Sequence, residues 1–238
     1  MNASGKTAVR LLWVLVAGLF MASPLAAQQV RLHVLAATGT AEEIQSALQK
    51  GADFNDHDYS GVTALMAAAG NNHNANVVPV LLRFGADVDS CDRNGETALM
   101  FAAERNGDPA VISALLAGGA RLENTDKLGR TPLIYAAKAN PSLDVVTTLL
   151  KAGAKVNSRD SYGMTALLYS AWVGQNPAIA TTLLASGADA TLKGTTGRNL
   201  VEYAQDNPAM KNDPQLLRQL QDAMKGTRVS AERRQEKG

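Results

Sequence analysis

Asp58, Asp92, Asp126 and Asp160 stand 34 residues apart. Carboxylates that recur this way could pair for general acid–base chemistry, one held protonated beside the other. Asp53, Asp56, His57 and Asp58 fall close together, and such a density of oxygen and nitrogen donors could hold a cation. Cys91 is the one thiol in 238 residues, and His33, His57 and His73 are the three imidazoles. A single cysteine excludes an intramolecular disulfide framework and a multi-cysteine zinc site. Each acid also has a local explanation. Gly61, Gly95, Gly129 and Gly163 follow the aspartate column three residues later, and Asp at the first position with Gly at the fourth suits a type I turn. Asp53 and Asp58 belong to columns of this kind, without the glycine pattern of a calcium loop. No nucleophile, base and charge stabiliser converge. The expectation is therefore no catalytic residue, no metal, no cofactor and no small-molecule substrate.

Composition narrows the class further. Apolar residues make up 46% and charged residues 19%, a balance that folds rather than stays disordered. Aromatics are only 5%, and the weight of Ala and Leu favours closely packed helices over a sheet sandwich. Lys plus Arg number 23 against 22 acids, so binding of nucleic acid by bulk charge is not expected. The N-terminus reads as an address. Lys6 and Arg10 precede a charge-free run from Leu11 to Ala22, and Ser23-Pro24 and Ala26-Ala27 close it. That is the layout of a signal peptide, 1–27, and the run is shorter than the ~20 apolar residues of a membrane span. Cleavage after Ala27 leaves no stable membrane insertion. An uncleaved anchor tethering a structural scaffold to the inner membrane is the alternative.

The elements that must position any site are repeats. Gly51, Gly85, Gly119, Gly153 and Gly187 share the 34-residue step, and so do Leu48, Leu82, Leu116, Leu150 and Leu184. Thr63, Thr97, Thr131 and Thr165 form another column. A fixed period of this length means a solenoid whose units bury their apolar faces on one another. Thr131-Pro132 marks a helix start. Ala68-Ala69, Ala102-Ala103 and Ala136-Ala137 make the first helix small on one side. Thr40, Asn74, Asp108, Ser142 and Asn176 are candidate caps of a second helix. That helix carries Val77, Val78, Leu81 and Leu82 towards the core, with a glycine to end it. Leu133 and Leu150 are read as core positions.

This unit resembles the ankyrin repeat. The matching strings are T-P-L-I-Y-A-A (131–137), T-A-L-M-F-A-A (97–103), T-A-L-M-A-A-A (63–69) and T-A-L-L-Y-S-A (165–171), with G-A-D-V-D (85–89) and G-A-K-V-N (153–157) after the second helix. The resemblance implies an all-α ankyrin-repeat solenoid of about six helix–loop–helix units joined by β-turn fingers, over 28–224. The units are about 28–58, 59–92, 93–126, 127–160, 161–194 and 195–224, and 225–238 is read as a flexible basic tail. The period of 34 exceeds the usual ~33 by one residue in the inter-helix loop. The family's histidine after T-P-L is replaced by Met66, Met100, Ile134 and Leu168, which should forfeit its hydrogen bonds.

Such stacks work by binding a protein partner on a concave face. The columns that carry contacts in the family fall here on Tyr59, Arg93, Lys127 and Tyr162 at the turns, on Arg130 and Met164 before the first helix, and on Glu104, Arg105, Lys138 and Trp172 at its end. Tyr, Trp and Arg are the residue types that most often anchor interfaces. Trp172 and Tyr162 are expected as apolar anchors, and Arg93, Lys127, Arg130 and Lys138 as a positive rim. The expected role is an exported protein–protein interaction module, serving as inhibitor, immunity or accessory protein of an envelope enzyme. Its expected location is periplasmic or secreted. One cysteine and no glycosylation sequon after residue 27 favour a bacterial over a eukaryotic source.

Overall fold

The computed structural model describes the backbone of residues 31–235 and side chains as far as 226; the expected signal segment lies outside the described residues. Among the described residues, twelve helices form six consecutive pairs. They are α1 (Leu32–Thr38) with α2 (Ala41–Gln49), α3 (Ala64–Asn71) with α4 (Val77–Arg83), and α5 (Ala98–Arg105) with α6 (Pro109–Ala117). The last three are α7 (Pro132–Ala139) with α8 (Leu143–Lys151), α9 (Ala166–Trp172) with α10 (Pro177–Ala185), and α11 (Leu200–Asp206) with α12 (Pro214–Gln235). Among the described residues there is no strand, only isolated bridges from His57 to Thr63 and from Cys91 to Thr97. The architecture is an all-α solenoid.

Local chemistry sets the helix starts. The hydroxyls of Thr63, Thr131 and Thr165 accept the amide three residues on, opening α3, α7 and α9. Thr97 stands at the same place without that bond. Thr40 with Glu43 forms a reciprocal capping box, and Asp108 and Asn176 cap α6 and α10. Two expected caps act otherwise. Asn74 accepts the Asn76 amide in a turn of its own, so α4 starts later, at Val77. Ser142 precedes α8, but its hydroxyl donates to the Gly107 carbonyl.

The first helices pack more closely along the stack than the second ones, because their contact faces are alanine. Ala68, Ala69, Ala102, Ala103, Ala136 and Ala137 are fully buried. In the second helices the core stripe is Val77, Val78 and Leu81, repeated as Val111, Ile112 and Leu115 and as Val145, Val146 and Leu149. Leu150, expected in the core, is only half-buried, like Leu82, Leu116 and Leu184; Leu149 is the buried residue. At about 100° per residue, the fifth step after the first core position falls roughly 90° from the stripe's centre. Leu133 is buried as read.

The aspartate column builds the turns. Oδ1 of Asp58, Asp92, Asp126 and Asp160 each accepts the amides two and four residues on, at 2.8–2.9 Å. Gly95 closes one turn at φ 85°, and a Cβ there would stand 3.1 Å from the Lys127 amide nitrogen. Adjacent tips are tied by the backbone. The amides of Arg93, Lys127, Ser161 and Thr195 donate to the carbonyls of Ser60, Asn94, Leu128 and Tyr162 at 2.8–2.9 Å.

A further column runs through the interior. Asn72, Asn106, Asn140 and Asn207 are buried at the ends of first helices. Each side-chain amide donates to two carbonyls of the preceding unit at 2.8–3.1 Å: Ala36 and Gly39, Ala69 and Asn72, Ala103 and Asn106, Ala171 and Gly174. Each Oδ1 accepts the amide two residues on. These carbonyls at the ends of helices would otherwise lack partners. One rung is missing. Gly174 takes the asparagine's place, where a Cβ would stand 2.4 Å from the Ser170 carbonyl oxygen. Across that joint Asn176 makes a single bond, to the Pro141 carbonyl at 2.9 Å.

The last helix runs into the segment read as a tail over 225–238. α12 continues to Gln235. The segment is rich in Ala, Glu, Arg, Gln and Lys, strong helix formers that need no apolar period to continue a helix.

Candidate functional site

Tyr135, Tyr169 and Tyr203 repeat at 34 residues along α7, α9 and α11, and all three are buried. The Tyr169 hydroxyl donates to Asp160 Oδ2 at 2.7 Å. The Tyr135 hydroxyl lies 2.6 Å from Glu96 Oε1 and 2.8 Å from Asp126 Oδ2. Burial and these carboxylates push both phenols well above their ordinary pKa of 10.0. Burial alone would raise Asp126. The Arg130 amide and guanidinium and the Tyr135 hydroxyl outweigh it, and the carboxyl sits below 3.8. The hydrogen bonds expected to be lost with the family's histidine are thus partly replaced. Tyrosines one position later bind the turn aspartates, and the Met66 sulfur accepts the Thr63 amide at 3.4 Å.

Tyr169 and Tyr203 support an exposed aromatic cluster. Trp172 stacks on Tyr169 with ring centroids 6.1 Å apart and leans on Tyr203 at 5.9 Å, yet remains 44% exposed. Tyr162, at the neighbouring turn tip, is 53% exposed. Together with Met164 they wall a cavity of about 440 Å³. Leu128, Arg130 and Lys138 contribute from the fourth unit, and Thr195, Thr196 and Arg198 from the sixth.

Five of the ten sequence-read contact residues therefore meet at one place: Arg130, Lys138, Tyr162, Met164 and Trp172. Two of them differ from expectation. Met164 is buried rather than projecting, because Gly194 leaves room for it to be covered; a Cβ at Gly194 would stand 2.7 Å from the Met164 sulfur. Arg130 is not a free rim cation. Its guanidinium pairs with Asp126 at 2.6 Å, approaches Glu96 at 3.7 Å and stacks over Tyr135 at 4.7 Å. The other five lie outside the cavity wall. Tyr59, Arg93 and Lys127 are exposed at turn tips, and Glu104 pairs with Arg105 at 2.9 Å. The tyrosine column and Arg198 were missed by sequence reasoning, although 135, 169 and 203 share the register that exposed the other columns.

The candidate cation donors Asp53, Asp56, His57 and Asp58 are engaged internally. Asp56 accepts His33 Nδ1 at 2.6 Å and the His33 amide at 3.1 Å, and the Asp53 carboxylate accepts the Asn55 amide. No group of donors that could hold a metal ion lies among the described residues.

A stack of helix pairs with tied turn tips and an aromatic face defines a helical repeat module. The family model of ankyrin repeats in three copies matches residues 32–126 and again 99–194. The chain belongs to the ankyrin-repeat family, and these repeats make it a protein–protein interaction module. No curated protein matches it.

Proposed function

We propose that this protein is an exported module of the bacterial envelope that docks a protein partner on the aromatic face of its fourth to sixth units, as inhibitor, immunity or accessory protein of an envelope enzyme. The observation that carries the docking site is Trp172. A large aromatic ring, backed by two buried tyrosines and left 44% exposed beside a cavity, fits a central interface anchor. The charge-free run after Lys6 and Arg10 supports export. No helix among the described residues is long and apolar enough to cross a membrane.

The test is recovery of the tagged protein from its own envelope fraction after mild crosslinking, with identification of what co-elutes. A partner retained by the wild-type protein and lost with Trp172→Ala supports the reading. Retention by both overturns the docking site. N-terminal sequencing of the recovered protein tests export: a start near residue 28 agrees, and an intact N-terminus favours the tethered scaffold.

A further inference from the structure

The charges around the cavity are one-sided. Arg130, Lys138 and Arg198 line it, and no carboxylate does. Two of these cations already have carboxylate partners. Arg130 pairs with Asp126, and Arg198 bonds Asp206 while stacking over Tyr203 at 4.7 Å. The Arg198 guanidinium thus covers the Tyr203 ring of the cavity wall, a place a ligand cation would otherwise take. Lys138 makes no ion pair among the described residues. It is half-buried on α7, where a carboxylate would gain more than in open water. Thr195 and Thr196 are further polar groups on the wall.

The walls set the other half of the ligand. Trp172 and Tyr162 offer half-exposed ring faces, and the largely covered Met164 adds to the apolar wall. Leu128 and Tyr162, on successive turn tips, leave the site open to solvent at the rim. A free small molecule of drug size usually has ~70–90% of its surface enclosed by its pocket. A half-open pocket suits one side chain whose main chain continues over the rim.

On the docking site proposed above, we infer that the cavity receives an aromatic side chain of a partner polypeptide flanked by a carboxylate, the ring against Trp172 and Tyr162 and the carboxylate on Lys138. The class is an acidic–aromatic segment, and a basic–aromatic one is disfavoured.

The experiment titrates the 15N-labelled protein with blocked pentapeptides and follows the Trp172 indole N–H. One peptide holds phenylalanine between aspartate and glutamate, a second between asparagine and glutamine, and a third between two lysines. Free phenylacetate is the fourth probe. The acidic peptide should bind about tenfold or more tightly than its amide counterpart, as a charge-assisted bond allows. Lys138→Gln should remove most of that preference while leaving the circular dichroism spectrum unchanged. Equal or tighter binding of the lysine peptide overturns the inference. So does phenylacetate binding as tightly as the acidic peptide, and so does an indole signal that no peptide moves. A partner still recovered in a Trp172-dependent way alongside any of these results leaves the docking site standing and rejects only the ligand chemistry. Loss of Trp172-dependent recovery rejects the docking site itself.

Discussion

Replacing Asn106 with alanine should be among the most damaging single changes in the stack, although Asn106 touches no exposed surface of note. Its side chain makes three hydrogen bonds, to the Ala69 and Asn72 carbonyls at 3.0 Å and from the Asp108 amide at 3.0 Å. A neutral bond contributes about 1 kcal/mol net, and a buried polar group left without its partner costs about 1–3 kcal/mol. Three lost bonds, with some relief by water at the helix end, give about 3–4 kcal/mol. Urea denaturation followed by far-UV circular dichroism measures this, with the exposed Asn71→Ala as control. Asn106 joins two units, so the transition should also broaden or split as coupling between neighbours weakens. A loss below about 1 kcal/mol with an unchanged slope would show that the asparagine column does not hold the units together.

Leu133→Ala and Leu149→Ala should each cost about 2–5 kcal/mol, whereas half-buried Leu150→Ala should cost clearly less; the same denaturation series ranks them. Cys91 is exposed and should react with a maleimide in the folded protein as fast as in urea; strong protection would contradict its placement. Tyr135 and Tyr169 are held neutral, so the stability they contribute is complete below the ordinary phenol pKa of 10.0 and is lost as pH rises above it. The protein should unfold at lower urea at pH 11 than at pH 8, and the double variant Tyr135→Phe/Tyr169→Phe should lose less over that interval. On the acid side, the stability from Asp126 is present above 3.8 and lost as pH falls below it, so Asp126→Asn should flatten the acid limb of a pH–stability curve. Trp172→Ala should weaken partner binding by about 2 kcal/mol or more and cost less than that in folding.

The period and the turn chemistry were legible because glycine, threonine and aspartate each have a single local job that recurs unchanged. The asparagine column was harder to see. Its fourth member is Gly174 and its fifth, Asn207, falls one residue early, so a strict 34-residue register loses it halfway. Leu150 misled because adjacent leucines at 149 and 150 carry the same residue type, and only the helical phase tells them apart. Arg130 was counted as a free cation because sequence spacing shows that Asp126 lies four residues before it, but not that Glu96 and Tyr135 close around it from two units. The aromatic face was half legible. Trp172 and Tyr162 stood out by size and column, whereas the role of the buried Tyr169 and Tyr203 as a backing for Trp172 depends on three-dimensional stacking.

Apart from the short-range bonds to the turn residues at each boundary, the bonds that join one unit to the next connect residues 30–39 positions apart, from Asn157 to the Gly187 carbonyl at the short end to Tyr135 and Glu96 at the long end. This uniform reach governs how the chain can assemble. Loop-closure entropy depends on the length of chain between contacts, so every junction faces nearly the same entropic barrier, and none waits for a distant segment. Local contacts of this kind make for rapid folding. A unit can dock as soon as its neighbour has emerged, so the array can grow outward from whichever pair forms first, and losing a terminal unit removes one junction and leaves the rest unaltered.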